Sequence, residues 1–178
     1  KHLIPVCQRS ALLASGIGAQ AATTTYAATT KGPYKTTDGG ATWQPVNVTV
    51  SGALLQGVPN VAAIAIDPLN PANIYFIGSV SGTSAFFKST DGGQSWSAVL
   101  ISGLGVGTNE RSSQWLCIDP VETNTLYISA TRTYRSTDFG ATWTEMTALN
   151  TIGGLVGIIG IAVDPNKSGV VYGTTHQR

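Results

Sequence analysis

Hydrophobic and polar residues alternate along most of this chain, in pairs of runs that are joined by a polar turn. In the clearest pair, at 61–79, the run VAAIAI leads through Asp67 and Pro68 into IYFIGS. The runs at 113–131 and from 158 onwards place Asp-Pro at the same offset. Each pair predicts two β-strands around a turn, because alternation is the period of a half-buried strand. No long amphipathic helical pattern competes with these strands.

An eight-residue box recurs three times, as TTDGGATW at 36–43, STDGGQSW at 89–96 and STDFGATW at 136–143. An enzyme needs one catalytic constellation, so three equivalent boxes favour a structural role. We expect each Asp in the turn between a third and a fourth strand, where it accepts backbone N–H groups. The second Gly supplies a positive φ, and the Trp starts the outer strand and packs into the sheet. The residues given this structural role are Asp38, Gly40, Trp43, Asp91, Gly93, Trp96, Asp138, Gly140 and Trp143.

Four strands in each repeat of roughly 45–50 residues indicate a β-propeller, whose blades bury each other's faces. We therefore predict an all-β chain with four-stranded antiparallel blades, a single partial propeller over 1–178 with about three and a half blades. The fourth repeat lacks a third strand and a box, so its second strand needs another partner. The candidates are the N-terminal HLIPVCQ, another copy of the chain, and the remaining blades of a longer chain, which we favour. The predicted blades are 12–50, 61–100, 113–147 and 158–178, the last one incomplete.

The composition excludes several classes of partner. Charged residues make up 11% of the chain and the formal net charge is +1, which argues against nucleic acid or an anionic membrane. The longest apolar runs, such as 158–163, are far shorter than the roughly 20 residues of a membrane span. Cys7 and Cys117 lack the spacing of a metal site. We predict no metal, no cofactor, and cysteines that are buried as small apolar residues rather than joined in a disulfide.

The boxes resemble those of the Asp-box (BNR) propellers, a group that includes sialidases, sortilin and the xyloglucanases of glycoside hydrolase family 74. The order of Asp-Pro strand, box, Gly-rich loop with NER at 109–111, Asp-Pro strand and STDFGATW is similar to the first propeller of family 74. This resemblance covers most of 12–178. It implies two seven-bladed propellers around a glucan cleft, of which this chain is about half of one propeller. We expect a secreted or extracellular protein.

The resemblance also implies where catalysis belongs. Family 74 enzymes invert their substrate with two Asp residues, an acid and a base far enough apart to admit water. Alignment of the family segment YARTDIGGAY with YAATTKGPYK at 26–35 places Thr30 at the first of these Asp positions. A Thr hydroxyl without a partner is no general base near neutral pH. The second Asp belongs to the other propeller, so we assign no catalytic residue and leave enzymatic activity open.

Two hypotheses on function remain. The first is a carbohydrate-active propeller that recognises β-glucan or xyloglucan oligosaccharides, as a fragment or as a relative without the catalytic Asp. Aromatic faces stack on sugar rings and polar side chains bond their hydroxyls; Trp115 also fits a core position in its alternating run. The alternative is a non-catalytic propeller that binds a protein partner, like sortilin or the photosystem assembly factors of the same Asp-box group. The predicted sugar contacts are Tyr34, Asn109, Glu110, Arg111 and Trp115.

Overall fold

The computed structural model of the chain describes residues 7–8, 14–15, 24–50, 53–55, 60–80, 82–105, 114–150 and 158–175. Regular structure in these residues is β-strand, apart from the one-turn helix α1 at Thr147–Asn150. The strands form successive antiparallel sheets, named blades 1 to 4 in chain order. The all-β prediction is confirmed.

Blade 2 shows how one repeat folds. Its four strands are hydrogen-bonded in chain order, each antiparallel to the next. The first two enclose the Asp-Pro turn, in which the Asp67 N–H donates to the Asn73 carbonyl at 3.0 Å. The third strand leads into the box and the fourth leaves it, as the sequence predicts. These strands are β8 (Asn60–Ile66), β9 (Ile74–Val80), β10 (Thr83–Ser89) and β11 (Ser97–Leu100).

Blades 1 and 3 repeat this strand order, with a box between the third and fourth strands of each. The predicted architecture of four-stranded antiparallel blades is therefore confirmed in three repeats. Blade 1 consists of β2 (Ala14–Ser15), β3 (Thr25–Thr29), β4 (Gly32–Thr36) and β5 (Gln44–Pro45). Blade 3 consists of β12 (Trp115–Ile118), β13 (Leu126–Ser129), β14 (Thr133–Ser136) and β15 (Thr144–Glu145).

Blade 4 is a two-stranded sheet of β16 (Ile158–Val163) and β17 (Val171–Thr175). Among the strands that the structure describes, β17 pairs with β16 and with no other. A further hairpin, β6 (Val48–Val50) with β7 (Ala53–Leu55), lies in the connection between blades 1 and 2. The sequence analysis did not predict this hairpin.

The N-terminal strand β1 (Cys7–Gln8) adds a fifth strand to blade 3, next to β12. In this pair Cys7 lies opposite Cys117, so the described part of the N-terminal segment, Cys7–Gln8, extends blade 3 and not blade 4; the rest of HLIPVCQ lies outside the described residues. Cys117 is fully buried and disulfide-bonded, and Cys7 is the only other cysteine of the chain. The prediction of cysteines without a disulfide is wrong, because sequence spacing does not show which residues face each other across a ladder.

The hydrophobic core lies between the blades. One buried cluster joins blades 1 and 2, a second joins blades 2 and 3, and a third joins blades 3 and 4. Alternate residues of each strand point to opposite neighbours, as the period of two requires. Members of these three clusters, in this order, are Tyr26 with Phe87, Tyr75 with Tyr134, and Tyr127 with Ile161.

The two ends of a blade differ. The Asp-Pro turn and the box lie at the same end, the box end, and are hydrogen-bonded to each other: the Gly92 N–H donates to the Ala72 carbonyl at 3.0 Å, and the Phe139 N–H to the Asn124 carbonyl at 2.9 Å. The opposite end, the loop end, carries the tips of the hairpins between second and third strands and the connections from one blade to the next. Connecting loops of this kind carry function more often than closed turns do.

Candidate functional site

Each box is a self-contained network of hydrogen bonds, shown best by Asp91. The Ser89 hydroxyl donates to Asp91 Oδ1 at 2.7 Å and accepts the Gly93 N–H at 2.8 Å. Asp91 Oδ1 also accepts the N–H groups of Gln94 and Ser95, each at 2.9 Å, while Oδ2 accepts the Ser95 hydroxyl at 2.5 Å. The carboxylate therefore holds the turn closed from both sides.

The same contacts recur in the other two boxes. Thr36 and Thr42 donate to Asp38, and Ser136 and Thr142 donate to Asp138 in the same way.

The hydroxyl and backbone donors lower the pKa of all three carboxyls, to about 2 for Asp91 and Asp138. In each box the hydroxyl at the seventh position contributes most: Thr42, Ser95 and Thr142. Carboxylates that are this acidic and this fully bonded are poor general bases. The hydrogen bonds support the predicted structural role of the boxes.

The box of blade 3 differs from the other two at its fourth position, which is Phe139 instead of Gly. Its φ is +57°, the left-handed conformation that Gly39 and Gly92 adopt at the same box position. A side chain in this region is uncommon. The Lys88 ammonium lies 5.2 Å from the centroid of the Phe139 ring, a cation–π contact that favours this conformation. The sequence showed the exchange of Gly for Phe but not this partner.

The Asp-Pro turns of blades 2 and 3 hold buried carboxylates, Asp67 and Asp119. Asp67 accepts the N–H groups of Leu69 and Asn70 and the side-chain amide of Asn73. The three predicted Asp-Pro turns begin at Asp67, Asp119 and Asp164, and each of these carboxylates accepts a backbone N–H from the residue two positions on.

Asp119 reaches beyond its own turn. Its Oδ2 accepts the Ser168 hydroxyl and the Gly169 N–H of blade 4, both at 2.9 Å. Burial acts to raise the pKa of Asp119, but hydrogen bonds from Gly169, Glu122, Val121 and Ser168 outweigh it and hold the pKa below its usual value. This carboxylate therefore ties blade 3 to blade 4, which the sequence analysis missed because the partners are about fifty residues away.

The structure separates the predicted sugar contacts. Tyr34 lies on β4 of blade 1, and Trp115 begins β12 of blade 3. Trp115 is half-buried and packs against the cluster between blades 3 and 4. Asn109, Glu110 and Arg111 lie outside the described residues.

Blade 1 carries an open cavity of about 340 Å³ on the face that points away from blade 2. Tyr34 lies opposite Ala27 in the β3–β4 ladder, and Trp43 closes one side. Thr30, which the alignment places at the family's Asp position, is exposed at the tip of the β3–β4 hairpin, at the loop end. The lining residues are Ala27, Thr29, Thr30, Lys31, Tyr34 and Trp43.

A second, more polar cavity of about 550 Å³ lies between the boxes of blades 1 and 2. Its walls are box residues such as Thr42 and Gly93, together with Lys35 and Asn47. The part of the chain that the structure describes contains no cluster of three or more His, Cys, Asp or Glu residues that would hold a metal ion. Its one helix is too short to cross a membrane.

A family model for the BNR/Asp-box repeat matches the chain three times, at residues 34–45, 87–98 and 134–145. Each match begins on the third strand of a blade and ends on the fourth, so it contains the whole box. The chain carries three BNR/Asp-box repeats.

Several curated xyloglucanases are similar in sequence. A probable oligoxyloglucan-reducing end-specific xyloglucanase of Neosartorya fischeri is 30% identical over 127 residues, which cover 70% of this chain and 14% of that protein. The xyloglucanase Xgh74A of Acetivibrio thermocellus is 30% identical over 97 residues, 48% of this chain and 12% of that protein. A xyloglucanase of Paenibacillus sp is 31% identical over 100 residues, 49% of this chain and 10% of that protein. The chain thus spans at most 14% of the length of these relatives.

Solved structures share the fold. The GH74 xyloglucanase of Xanthomonas campestris matches with a TM-score of 0.62 and 20% identity, over 95% of this chain and 29% of that one. A GH74 enzyme of Niastella koreensis matches with a TM-score of 0.61 and 24% identity, over 85% of this chain and 24% of that one. These structures confirm the predicted propeller fold, and the sequence relatives confirm the predicted resemblance to xyloglucanases.

Proposed function

We propose that this chain recognises a β-glucan of the xyloglucan type, at the loop end of its blades. The observation that carries this proposal is the 30% identity to a probable oligoxyloglucan-reducing end-specific xyloglucanase over 70% of the chain. A fold alone supports many functions, so the proposal also needs a surface on which a sugar chain fits.

The loop end is that surface. At the box end the carboxylates are occupied by the turns that they hold, as in Asp38, Asp91 and Asp138. The loop end carries the half-buried Trp115 and the exposed tip at Thr30. Asn109, Glu110 and Arg111 stand four to six residues before Trp115 in the sequence. An indole stacks on a pyranose ring, and amide, carboxylate and guanidinium groups bond sugar hydroxyls. Tyr34 is the weakest candidate, because its repeat equivalents Phe87 and Tyr134 are buried between blades.

Recognition without hydrolysis is the expected activity of the 178-residue chain. Thr30 stands at the position where the family resemblance implies an Asp, and an unassisted hydroxyl does not activate water. A secreted location fits the disulfide-bonded Cys117, because disulfides persist mainly in oxidising compartments.

Calorimetric titration of the chain with xyloglucan oligosaccharides tests the proposal, with cello-oligosaccharides as the comparison ligand. We expect saturable binding and no release of reducing sugar. Replacement of Asn109, Glu110 and Arg111 by Ala should weaken binding about tenfold or more. Lys167→Ala, an exposed change at the box end, should leave it unchanged. A folded chain that binds neither glucan would overturn the proposal and favour a protein partner, whereas turnover abolished by one acidic substitution would show that the alignment of Thr30 is wrong.

A further inference from the structure

The cavity of about 550 Å³ between the boxes of blades 1 and 2, called the box cavity from here on, lies at the box end, away from the proposed glucan surface. The outer strands of blade 1 and the connection after β5 form one side of it, and the box turn of blade 2 forms the other. It therefore belongs to a joint between two described blades. Its lining includes Lys35, Thr37, Gln44, Asn47, Gly92 and Gly93.

The repeat shows the same place a second time, between blades 2 and 3. The fourth residue of the box is Gly92 in blade 2 and Phe139 in blade 3. Both have a left-handed φ, +68° and +57°. Both N–H groups donate to a carbonyl of the Asp-Pro turn in the same blade, at 3.0 Å and 2.9 Å. The backbone at these two residues is therefore equivalent, and the blades differ in the side chain that it carries.

The preceding blade places a lysine beside each of these residues. Lys35 and Lys88 each stand directly before a box, at the end of the third strand. Between blades 2 and 3, the Lys88 ammonium lies 5.2 Å from the centroid of the Phe139 ring. Between blades 1 and 2, Lys35 and Gly92 line the box cavity together. The box cavity is thus the place that an aromatic ring fills in the next joint.

There is room for such a ring in front of Gly92. A Cβ on Gly92 would meet no heavy atom within 4 Å beyond its chain neighbours. The Lys35 ammonium lies 5.7 Å from the centroid of the Tyr26 ring and forms no ion pair among the described residues. Because an ammonium group attracts the face of an aromatic ring, Lys35 provides one wall of a ring-binding site.

The rim of the box cavity is polar. Thr37, Gln44 and Asn47 are exposed, and their side chains make no hydrogen bond among the described contacts. Hydroxyl and amide groups both donate and accept hydrogen bonds, so this rim suits a hydroxyl substituent on the ring. The carboxylates of Asp38 and Asp91 do not line the cavity and accept bonds from their own boxes.

We propose that the box cavity binds a phenol ring. The ring lies against Lys35 as the Phe139 ring lies against Lys88, and its hydroxyl lies at the polar rim. A free phenol and the tyrosyl side chain of a partner present this same group. So small a ligand should bind weakly, with a Kd on the order of 1 mM. The site is separate from the loop end, so its test does not depend on glucan binding.

Titration of the ¹⁵N-labelled chain with 4-methylphenol, followed by the amide signals in NMR spectra, tests the proposal. The signals of Gly92, Gly93 and Asn47 should shift and saturate. Cyclohexanol has a ring and a hydroxyl but no aromatic face, and should bind about tenfold more weakly. Lys35→Met should weaken the binding of 4-methylphenol about tenfold as well. Lys167→Met, which removes an exposed cation of blade 4, should leave it unchanged.

The repeat supplies a matched pair of further variants. Gly92→Phe gives blade 2 the box sequence STDFG of blade 3, fills the box cavity and should abolish binding there. Phe139→Gly removes the ring beside Lys88 and should create a second site, seen as new shifts at Gly140. Circular dichroism checks that both variants fold, and the second variant tests the equivalence of the two places even where the first does not fold.

A tyrosyl tripeptide, acetyl-Gly-Tyr-Gly-amide, tells the two sources of the ring apart. Binding about tenfold tighter than that of 4-methylphenol assigns the ring to a partner's side chain, and equal or weaker binding assigns it to a free phenol; both results support the site. Three results would overturn it: no shift at Gly92 and Gly93, equal binding of cyclohexanol, or binding unchanged in a folded Gly92→Phe variant. A folded Phe139→Gly variant without a second site would overturn it too.

Discussion

The boxes of blades 1 and 3 have the same internal hydrogen bonds but different surroundings. In both, the Asp accepts a hydroxyl and an N–H from the residue four positions on, Thr42 or Thr142, with the N–H at 2.9 Å. Their surroundings differ, because blade 2 covers the box of blade 3, whereas no described blade covers that of blade 1. The hydrogen bonds of a box are therefore local, whereas the burial of its Gly and Trp is supplied by the preceding blade.

The largest effect is expected at the second Gly of the box. A Cβ on Gly140 would lie 2.2 Å from the Phe86 ring, which is fully buried, whereas a Cβ on Gly40 meets no atom closer than 4.0 Å. Both residues have a positive φ. Gly140→Ala should therefore cost about 3–5 kcal/mol, from overpacking and backbone strain together, and Gly40→Ala about 1–2 kcal/mol, from strain alone. Urea unfolding of the two variants measures the difference, and equal costs would show that blade 2 does not crowd the box of blade 3.

The box tryptophans should differ next. Trp143 stacks edge-on against Phe86 with centroids 5.0 Å apart, and its indole N–H donates to the Gly140 carbonyl at 3.1 Å. Trp143→Ala should cost about 3 kcal/mol, and Trp43→Ala about 1 kcal/mol or less, because the exposed indole loses little packing. Thermal unfolding of the two variants checks this, with Trp43 as the matched control. A Trp43 variant as unstable as the Trp143 variant would contradict the account.

Asp119→Asn tests the joint between blades 3 and 4. An Asn side chain turns one acceptor into a donor, and this donor meets N–H groups in either orientation, that of Gly169 at Oδ2 or those of Val121 and Glu122 at Oδ1. We expect a loss of about 2 kcal/mol, together with faster hydrogen exchange in β16 and β17. Asp164→Asn is the control, because Asp164 accepts bonds only within blade 4 among the described contacts. Unchanged exchange in blade 4 would show that Asp119 does not hold it.

A smaller effect of opposite sign is expected at Tyr75. Its hydroxyl is buried without a hydrogen-bond partner among the described residues, and burial and the charge of Asp67 raise its pKa. Tyr75→Phe should stabilise the fold by about 1 kcal/mol, because the variant no longer buries a hydroxyl group that has no hydrogen-bond partner. Tyr127→Phe should destabilise it by a similar amount, since Arg135 bonds that hydroxyl. Denaturant midpoints decide, and a destabilised Tyr75→Phe variant would point to a partner for this hydroxyl.

The smallest difference is expected in acid. Asp91 and Asp138 have pKa values of about 2, and that of Asp38 is also lowered. Because these values lie below the usual value of about 4, the ionised boxes stabilise the fold above pH 4, and this contribution is lost as the pH falls towards 2. Asp38→Asn and Asp138→Asn should each reduce the loss of stability between pH 4 and 2 by the same amount, because the two boxes have the same internal hydrogen bonds. Melting temperatures measured from pH 4 to 2 test this, and unequal reductions would contradict the view that the hydrogen bonds within each box set the pKa of its Asp.

Much of the fold follows from local patterns in the sequence. The alternation around Asp67, the Asp-Pro turns and the boxes are short-range features, so strands and box positions could be predicted. The pairing of β1 with β12 and the bond from Asp119 to Gly169 could not, because each joins segments that are distant in sequence. Less of the candidate site follows from the sequence, since the surroundings of Tyr34 and Trp115 depend on which blade covers which face; the predicted sugar contacts stay a prediction.

Footprinting of the tryptophans by hydroxyl radicals, read by mass spectrometry, measures how far the preceding blade protects each box. Boxes with the same internal hydrogen bonds should differ in the exposure of their Trp because their neighbours differ. In dilute protein, Trp43 should react fastest, Trp143 more slowly and Trp96 slowest. A Trp43 that is as protected as Trp96 would contradict the account, because it would mean that blade 1 already has a neighbour on the face that points away from blade 2.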